Sequence, residues 1–432
     1  MELRKVVLVD GARSGFARGA RGSLVATRLD EAGAQVLRAL LDRNPKVAGS
    51  MIEDIGVGNV TGQGSEFAYL GNVQRLAGLP MEVCSFHSNR QCGSSMETLH
   101  RIAMGIMVGT IDCGIAMGIE RMGRSIGGGG KGTRITGPNP RIAEPSDAQR
   151  SAAADHSAHF SVPFPDYLMS TPWIQSMPQT AQNVAEVYGL GRRELDEYSA
   201  VSHGKTHEAA EAGTYKDEII PLEVEMPVFD DEGNWLEDEH GETVVFDRDE
   251  CARPGTTAEK LAGLPTLRGL KSWDDRELVI TAGNSCPTND GISAAILMSE
   301  DKALALGIEP LARVAGMGVG GVKPQLMGLG PVVSSNKALG HAGVEAAEVG
   351  RVEFNEAFAA QVIPSVREIG LDPAGINVNG GSLAIGHPLG ATGVRLVVTV
   401  AMECRRSAER YGLATQCIGA GMGISTVVES LN

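Results

Sequence analysis

Apolar runs too short for anything but strands alternate along this chain with longer runs whose apolar positions recur at helical spacing. Residues 6–9 and 55–58 have the first character, and so do 84–86 and 113–119; residues 29–41 and 96–108 have the second, with Met96, Leu99, Ile102, Ala103 and Ile106 on one face. Strands of this kind are buried on both sides, so the pattern predicts a sheet covered by helices in a layered α/β domain. The same style returns near the end. Strands are expected at 278–282, 291–298 and 312–319, a strand-to-helix passage at 353–366, and ordered segments at 379–400 and 415–429. A duplicated α/β unit with a long central insertion accounts for both ends.

The insertion reads differently. Gly127–Gly130 ends the first unit with four successive glycines and is expected to be a loop. Helical spacing returns at 180–187 and 192–212. Ten acidic residues and one Arg between Asp230 and Glu250 predict a solvated hairpin rather than a metal site. These boundaries give a first half at 1–121, an insertion at 122–250, a return segment at 251–277 and a second half at 278–432.

With a net charge of −15, the chain is not expected to bind nucleic acid. No run approaches the ~18 apolar residues of a membrane span. The N-terminus passes straight into a strand pattern, and Ser430-Leu431-Asn432 is not a peroxisomal signal, so the expected location is the cytoplasm. Seven cysteines at irregular spacing suggest reduced thiols, not a disulfide framework or a zinc site.

Four segments carry chemistry. In Asn89-Arg90-Gln91-Cys92-Gly93-Ser94-Ser95 a thiol stands just before a helix, where unpaired N–H groups favour thiolate, and small neighbours leave room for a carbonyl. Cys84 and Cys113, inside strand patterns, read as buried structural residues. In the stretch from Asn379 to Gly393 a single His, His387, stands among five Gly and a Pro, a loop of fixed shape suited to a base or donor. Cys417-Ile418-Gly419-Ala420-Gly421-Met422-Gly423 has the wrong spacing for a dinucleotide fingerprint but would turn a second thiol and free N–H groups into a site. Asn355-Glu356-Ala357-Phe358-Ala359-Ala360-Gln361 lies at a strand-to-helix junction, where an Asn is most often an N-cap.

Together these segments, in this order, resemble the thiolase family over nearly the whole chain. Asp10-Gly11-Ala12-Arg13-Ser14 is similar to the family's opening strand, Thr180–Ala185 and Ser202-His203 to its insertion, and Thr281–Asn284 with Asn289-Asp290-Gly291 to its second-half entry. The resemblance implies layered α/β/α/β/α architecture with two mixed five-stranded sheets, and a dimer or tetramer. It implies ping-pong acyl transfer between 3-oxoacyl-CoA and coenzyme A, with CoA as substrate and neither cofactor nor metal. Cys92 would carry the acyl group, His387 would take its proton, and Cys417 would move the α-proton. One oxyanion hole would combine His387 with a water held by Asn355, the other the backbone N–H groups of Cys92 and Gly419. CoA would be bound by Arg253 and Lys260, with Cys286 and Met177 near its pantetheine arm; Arg268 belongs to the same basic segment, and Lys271 reads as solvated surface. The chain departs from the family at Cys286-Pro287, where Ser-Gly is usual, and in Gly118-Ile119-Glu120-Arg121-Met122-Gly123. His341 reads as surface. The prefix Asn89-Arg90-Gln91 looks more like thiolases of fatty-acid breakdown than acetoacetyl-CoA enzymes. A decarboxylating ketoacyl synthase would lack the second thiol, a papain-like hydrolase would also lack this glycine architecture, and a non-catalytic relative should have lost one of the four residues.

Overall fold

The structure, a computed structural model, describes residues 3–61, 72–123, 147, 160–169, 171–273 and 275–431. The Gly127–Gly130 loop lies outside the described residues. In the first half, strands β1 (Val6–Arg13), β2 (Ala17–Arg18), β3 (Asp54–Gly58), β4 (Cys84–Ser88) and β5 (Cys113–Arg121) are joined by helices α1 (Leu29–Arg43), α2 (Asn72–Leu76) and α3 (Ser94–Met107). The insertion contributes α4 (Met177–Tyr188), α5 (Arg192–Glu211) and the hairpin β6 (Leu222–Phe229) with β7 (Trp235–Phe246), which is the expected acidic excursion. Strand β8 (Asn289–Ser299) follows. The second half runs β9 (Ala312–Gly321), α6 (Gly330–Ala342), β10 (Val349–Phe354), α7 (Ala359–Ile369), α8 (Thr392–Ser407), β11 (Tyr411–Ile418) and β12 (Met422–Ser430).

The duplication is visible in the pairing. The first half reads β4-β3-β5-β8-β1, with β4, β3 and β5 parallel and the next two pairings antiparallel. The second reads β10-β11-β12-β9, with the same change from parallel to antiparallel. A fifth second-half strand is reduced to the bridge Val352↔Ile376. The two expected five-stranded sheets are therefore one continuous sheet of five and four strands plus β2, joined where β1 pairs with β9 at Val7↔Arg313 and Leu8↔Ala312. The halves also divide later than residue 278, because β8 pairs on both sides with first-half strands. Residues 278–282 form no strand; Thr281 makes only an isolated bridge to Thr266.

Five layers result. Helix α1 covers one side of the first half through Leu29, Val36, Leu37 and Leu40, packed on Ile115, Met117 and Ile296. Helices α6 and α7 cover the far side of the second half around Val332, Phe354 and Val362. Between the halves lie α3 and α8. Met96, Leu99 and Ile102 of one meet Val394, Val397 and Val400 of the other, with strand residues of both halves closing around them. In chain order α8 is the counterpart of α3. The loop holding Cys92 therefore corresponds to the loop holding His387, rather than to the Asn355 junction.

Candidate active site

Cys92 stands between the end of β4 and the start of α3. Gln91 before it has φ +47°, a left-handed conformation that turns the chain sharply. The turn is locked by Ser94, whose hydroxyl donates to the Gln91 carbonyl at 2.6 Å and accepts from Arg90 N at 3.0 Å. Gln416 donates from its side chain to the Cys92 carbonyl. The backbone N–H of Gly419 lies close enough to the Cys92 sulfur to favour its charged form. That N–H comes from the β11–β12 turn, where Ala420 and Gly421 both have positive φ and a Cβ at Gly421 would lie 2.5 Å from the Val322 carbonyl. Cys92 is half-buried by surface area, and desolvation there opposes the helix end and the Gly419 N–H; with the Glu120 carboxylate it pushes the thiol up to about 11, which favours a protonated sulfur at neutral pH.

His387 is buried, and its protonation is set by a chain of bonds with fixed direction. Arg395, which only donates, reaches the Ser382 hydroxyl at 3.0 Å. Ser382 donates to Asn355 Oδ1 at 2.7 Å, which turns the Asn355 amide nitrogen toward His387 Nε2, 3.2 Å away. On the other side of the ring, Nδ1 lies 2.7 Å from the Thr392 hydroxyl, which donates to the Pro388 carbonyl at 2.9 Å. A carbonyl only accepts, so Nδ1 carries the hydrogen and Nε2 presents a lone pair. Burial, and then the Arg395 charge, lower the imidazole to about 3 and keep it neutral. Its backbone N–H donates to Asn289 Oδ1 at 3.0 Å, and Asn289 in turn donates to the Cys251 sulfur at 3.3 Å.

Asn355 does not cap a helix, since α7 starts at Ala359 with Phe358 as its cap. Its neighbour Glu356 accepts from Tyr198, Ser202, Asn377 and Leu383 N at 2.7–3.1 Å, tying the insertion helix α5 to the loop that leads to His387. Arg395 is itself paired with Glu353, both fully buried. Cys417, at the end of β11, is buried and donates to Gln361 Oε1 at 3.1 Å. Burial first, then the Cys92 sulfur, raise its thiol. Cys286 packs against the apolar cluster containing Cys417, Phe358 and Leu383, and burial pushes its thiol up to about 12. Glu120 accepts from Val60 N, Thr61 N and Gly390 N at 2.7–3.1 Å, joining the loop after β3 to the one after His387.

The other predicted positions are more dispersed. Arg253 lines a cavity of about 310 Å³ with Arg18, His203, Thr256, Ser285 and Leu383. Lys260 lies outside it, its ammonium on the Gly255 carbonyl at 2.6 Å. Met177 opens α4 and is 36 % exposed, also away from that cavity. A larger cavity, about 850 Å³ beside Lys216 and Arg248, contains none of the predicted site residues. Cys84 is exposed rather than structural, because β4 is the sheet's edge; Cys113 is buried and His341 exposed, as expected. Glu353 and Arg395 were given no role by sequence reasoning, although a lone charge inside the apolar runs Val-Glu-Phe and Val-Arg-Leu signals a buried pair.

Comparison with known proteins agrees with this arrangement. The model of the thiolase N-terminal domain matches residues 6–301 and that of the thiolase C-terminal domain residues 308–430. A 3-ketoacyl-CoA thiolase of Bacillus subtilis (strain 168) is 37% identical over 428 residues, covering 99% of this chain and 100% of the relative. A beta-ketoadipyl-CoA thiolase of Escherichia coli is 36% identical over 431 residues, again 99% and 100%. The crystal structure of the Bacillus anthracis acetyl-CoA acetyltransferase superposes with a TM-score of 0.81 at 29% identity, covering all of both chains. With both domain models matched in order and relatives similar over their full length, the chain belongs to the thiolase family.

Proposed function

We propose that this acyltransferase cleaves 3-oxoacyl-CoA with coenzyme A, or runs the reverse condensation, through an acyl group on Cys92. The observation that carries this reading is the bonded set Cys417–Gln361–Asn355–His387, with the Gly419 N–H close to the Cys92 sulfur. Cys92 attacks the 3-oxo carbonyl while His387 Nε2 takes its proton. The oxyanion on that carbon is held by the N–H groups of Cys92 and Gly419. The carbon–carbon bond breaks, and its electron pair goes to the acetyl-CoA enolate. The enolate oxygen faces Asn355 and the imidazolium, which can donate from Nε2 only after it has taken the Cys92 proton. Cys417 then protonates the α-carbon. Before the second half-reaction the imidazolium returns its proton to the Cys417 thiolate; CoA then attacks the acyl-cysteine, and His387 takes its thiol proton and hands it to the departing Cys92 sulfur. Preorganised oxyanion donors supply ~3–4 kcal/mol each. No step calls for a cofactor or metal.

The Arg253 cavity reaches Leu383 in the catalytic loop and has Ser285 and Pro287 on either side of Cys286, which supports it as the path of the pantetheine arm. In this reading Arg253 meets a CoA phosphate, Met177 and Cys286 border the arm, Lys260 contributes long-range charge, and the insertion stands over the entrance. The open edge of the first half at β4 and the resemblance to a family of dimers and tetramers support assembly into at least a dimer, and seven free thiols support a reducing, cytoplasmic setting.

A thiolysis assay across 3-oxoacyl-CoAs of increasing size should show CoA-dependent cleavage. Cys92→Ala should lose both turnover and covalent labelling by acetyl-CoA. Cys417→Ala should still take an acetyl group, because that transfer moves no α-proton, while its turnover falls ~10²–10⁴-fold; equal loss of labelling in the two variants would refute the division of labour. Arg253→Ala should raise the Michaelis constant for CoA several-fold with little change in kcat, and an unchanged constant would remove Arg253 from the site. Light scattering should give a dimer or tetramer, against which a stable active monomer would count.

A further inference from the structure

Gln361 has no part in the reaction as set out above, yet its amide bridges two residues that do. It sits on the first turn of α7 and is fully buried. The side-chain nitrogen donates to the Asn355 carbonyl at 3.3 Å. A carbonyl only accepts, so the amide orientation is fixed and Oε1 faces Cys417, 3.1 Å away. An amide oxygen only accepts as well. The sulfur is therefore the donor, and resting Cys417 is a thiol whose proton points at Gln361. The helix turn carrying Gln361 is held close from the other side, since a Cβ on Gly328 would come within 2.7 Å of the Gln361 Cβ. Around the thiol the walls are apolar: Met327, Phe358 and Leu383 belong to the same buried cluster.

We propose that Gln361 is a positioning residue for the α-proton transfer, acting through Cys417 and resting on the function proposed above. In cleavage the S–H bond breaks and a C–H bond forms on the α-carbon with the electron pair released from the carbon–carbon bond. The thiolate left behind repels Oε1. Rotation of the Gln361 amide by half a turn brings its NH2 group to the sulfur and sets Oε1 against the Asn355 carbonyl, a contact between two acceptors that favours the return of the amide. When the imidazolium returns its proton to Cys417, the amide turns back. One side chain thus serves both protonation states of the thiol in a pocket otherwise apolar, and couples them to the residue beside His387.

The test is Gln361→Met, which keeps length and flexibility and removes donor and acceptor together. Acetyl transfer from acetyl-CoA to Cys92, followed by mass spectrometry, should stay within about twofold of the parent, whereas condensation turnover should fall at least about tenfold. The primary isotope effect on condensation with trideuteroacetyl-CoA should rise, because the α-proton step becomes limiting, which a loosened fold would not produce. Turnover near normal, turnover and acetylation falling by one common factor, or an isotope effect that does not rise would each overturn the proposal. If Gln361→Met does not fold, Gln361→Asn, with the amide one methylene short of the sulfur, is read by the same three measurements. Failure of the parent itself to acetylate Cys92 would instead refute the proposed function.

Discussion

Burial of two helices between the halves of one bent sheet is the constraint from which the site follows. Helices α3 and α8 touch strands of both halves as well as each other, so neither can shift without opening the central layer. A helix held on all sides delivers its N-terminal end to a fixed point. The loops entering these two ends carry Cys92 and His387, and the second half supplies Asn355 and Cys417 from the ends of neighbouring strands. Arg395 anchors this arrangement from inside α8. Its pairing with Glu353 offsets part of the cost of holding a guanidinium at that depth, and its second nitrogen starts the bonds that orient Ser382, Asn355 and the imidazole.

The same burial decides the resting charges. A helix N-terminus and the Gly419 N–H both favour thiolate at Cys92, but desolvation is larger and the neighbouring Glu120 opposes them. The imidazole is kept neutral by desolvation and by the Arg395 charge. An ion pair poised before substrate arrives is therefore disfavoured from both sides. In the proposed reaction the proton moves when the 3-oxo carbonyl approaches, and only then does His387 become a donor toward the enolate oxygen.

Much of this was legible in the sequence. The segments holding Cys92, His387 and Cys417 stand out by their glycine and small residues, α1, α3, β5 and β9 fall within a few residues of where periodicity puts them, and the acidic run overlaps the hairpin β6–β7, which starts eight residues earlier. What was not legible depends on partners far along the chain. The exposure of Cys84 follows from β4 being an edge, which local spacing does not encode. Residues 278–282 have strand composition, but β1 and β5 already take β8 as neighbour. Asn355 resembles a cap until the helix is seen to start at Ala359. The link from Gln361 to Cys417 spans 56 residues, and that from Arg395 to Glu353 spans 42, so neither is visible in a motif.

That Cys92 and His387 rest as a neutral pair can be tested by following alkylation of Cys92 with iodoacetamide across about pH 6 to 10, read by peptide mass spectrometry. A thiol raised to about 11 has a thiolate fraction that grows about tenfold per pH unit through this range. The rate should climb throughout and not level off. A rate already level from about pH 7 upward would mean a preformed thiolate–imidazolium pair, and would contradict a neutral one.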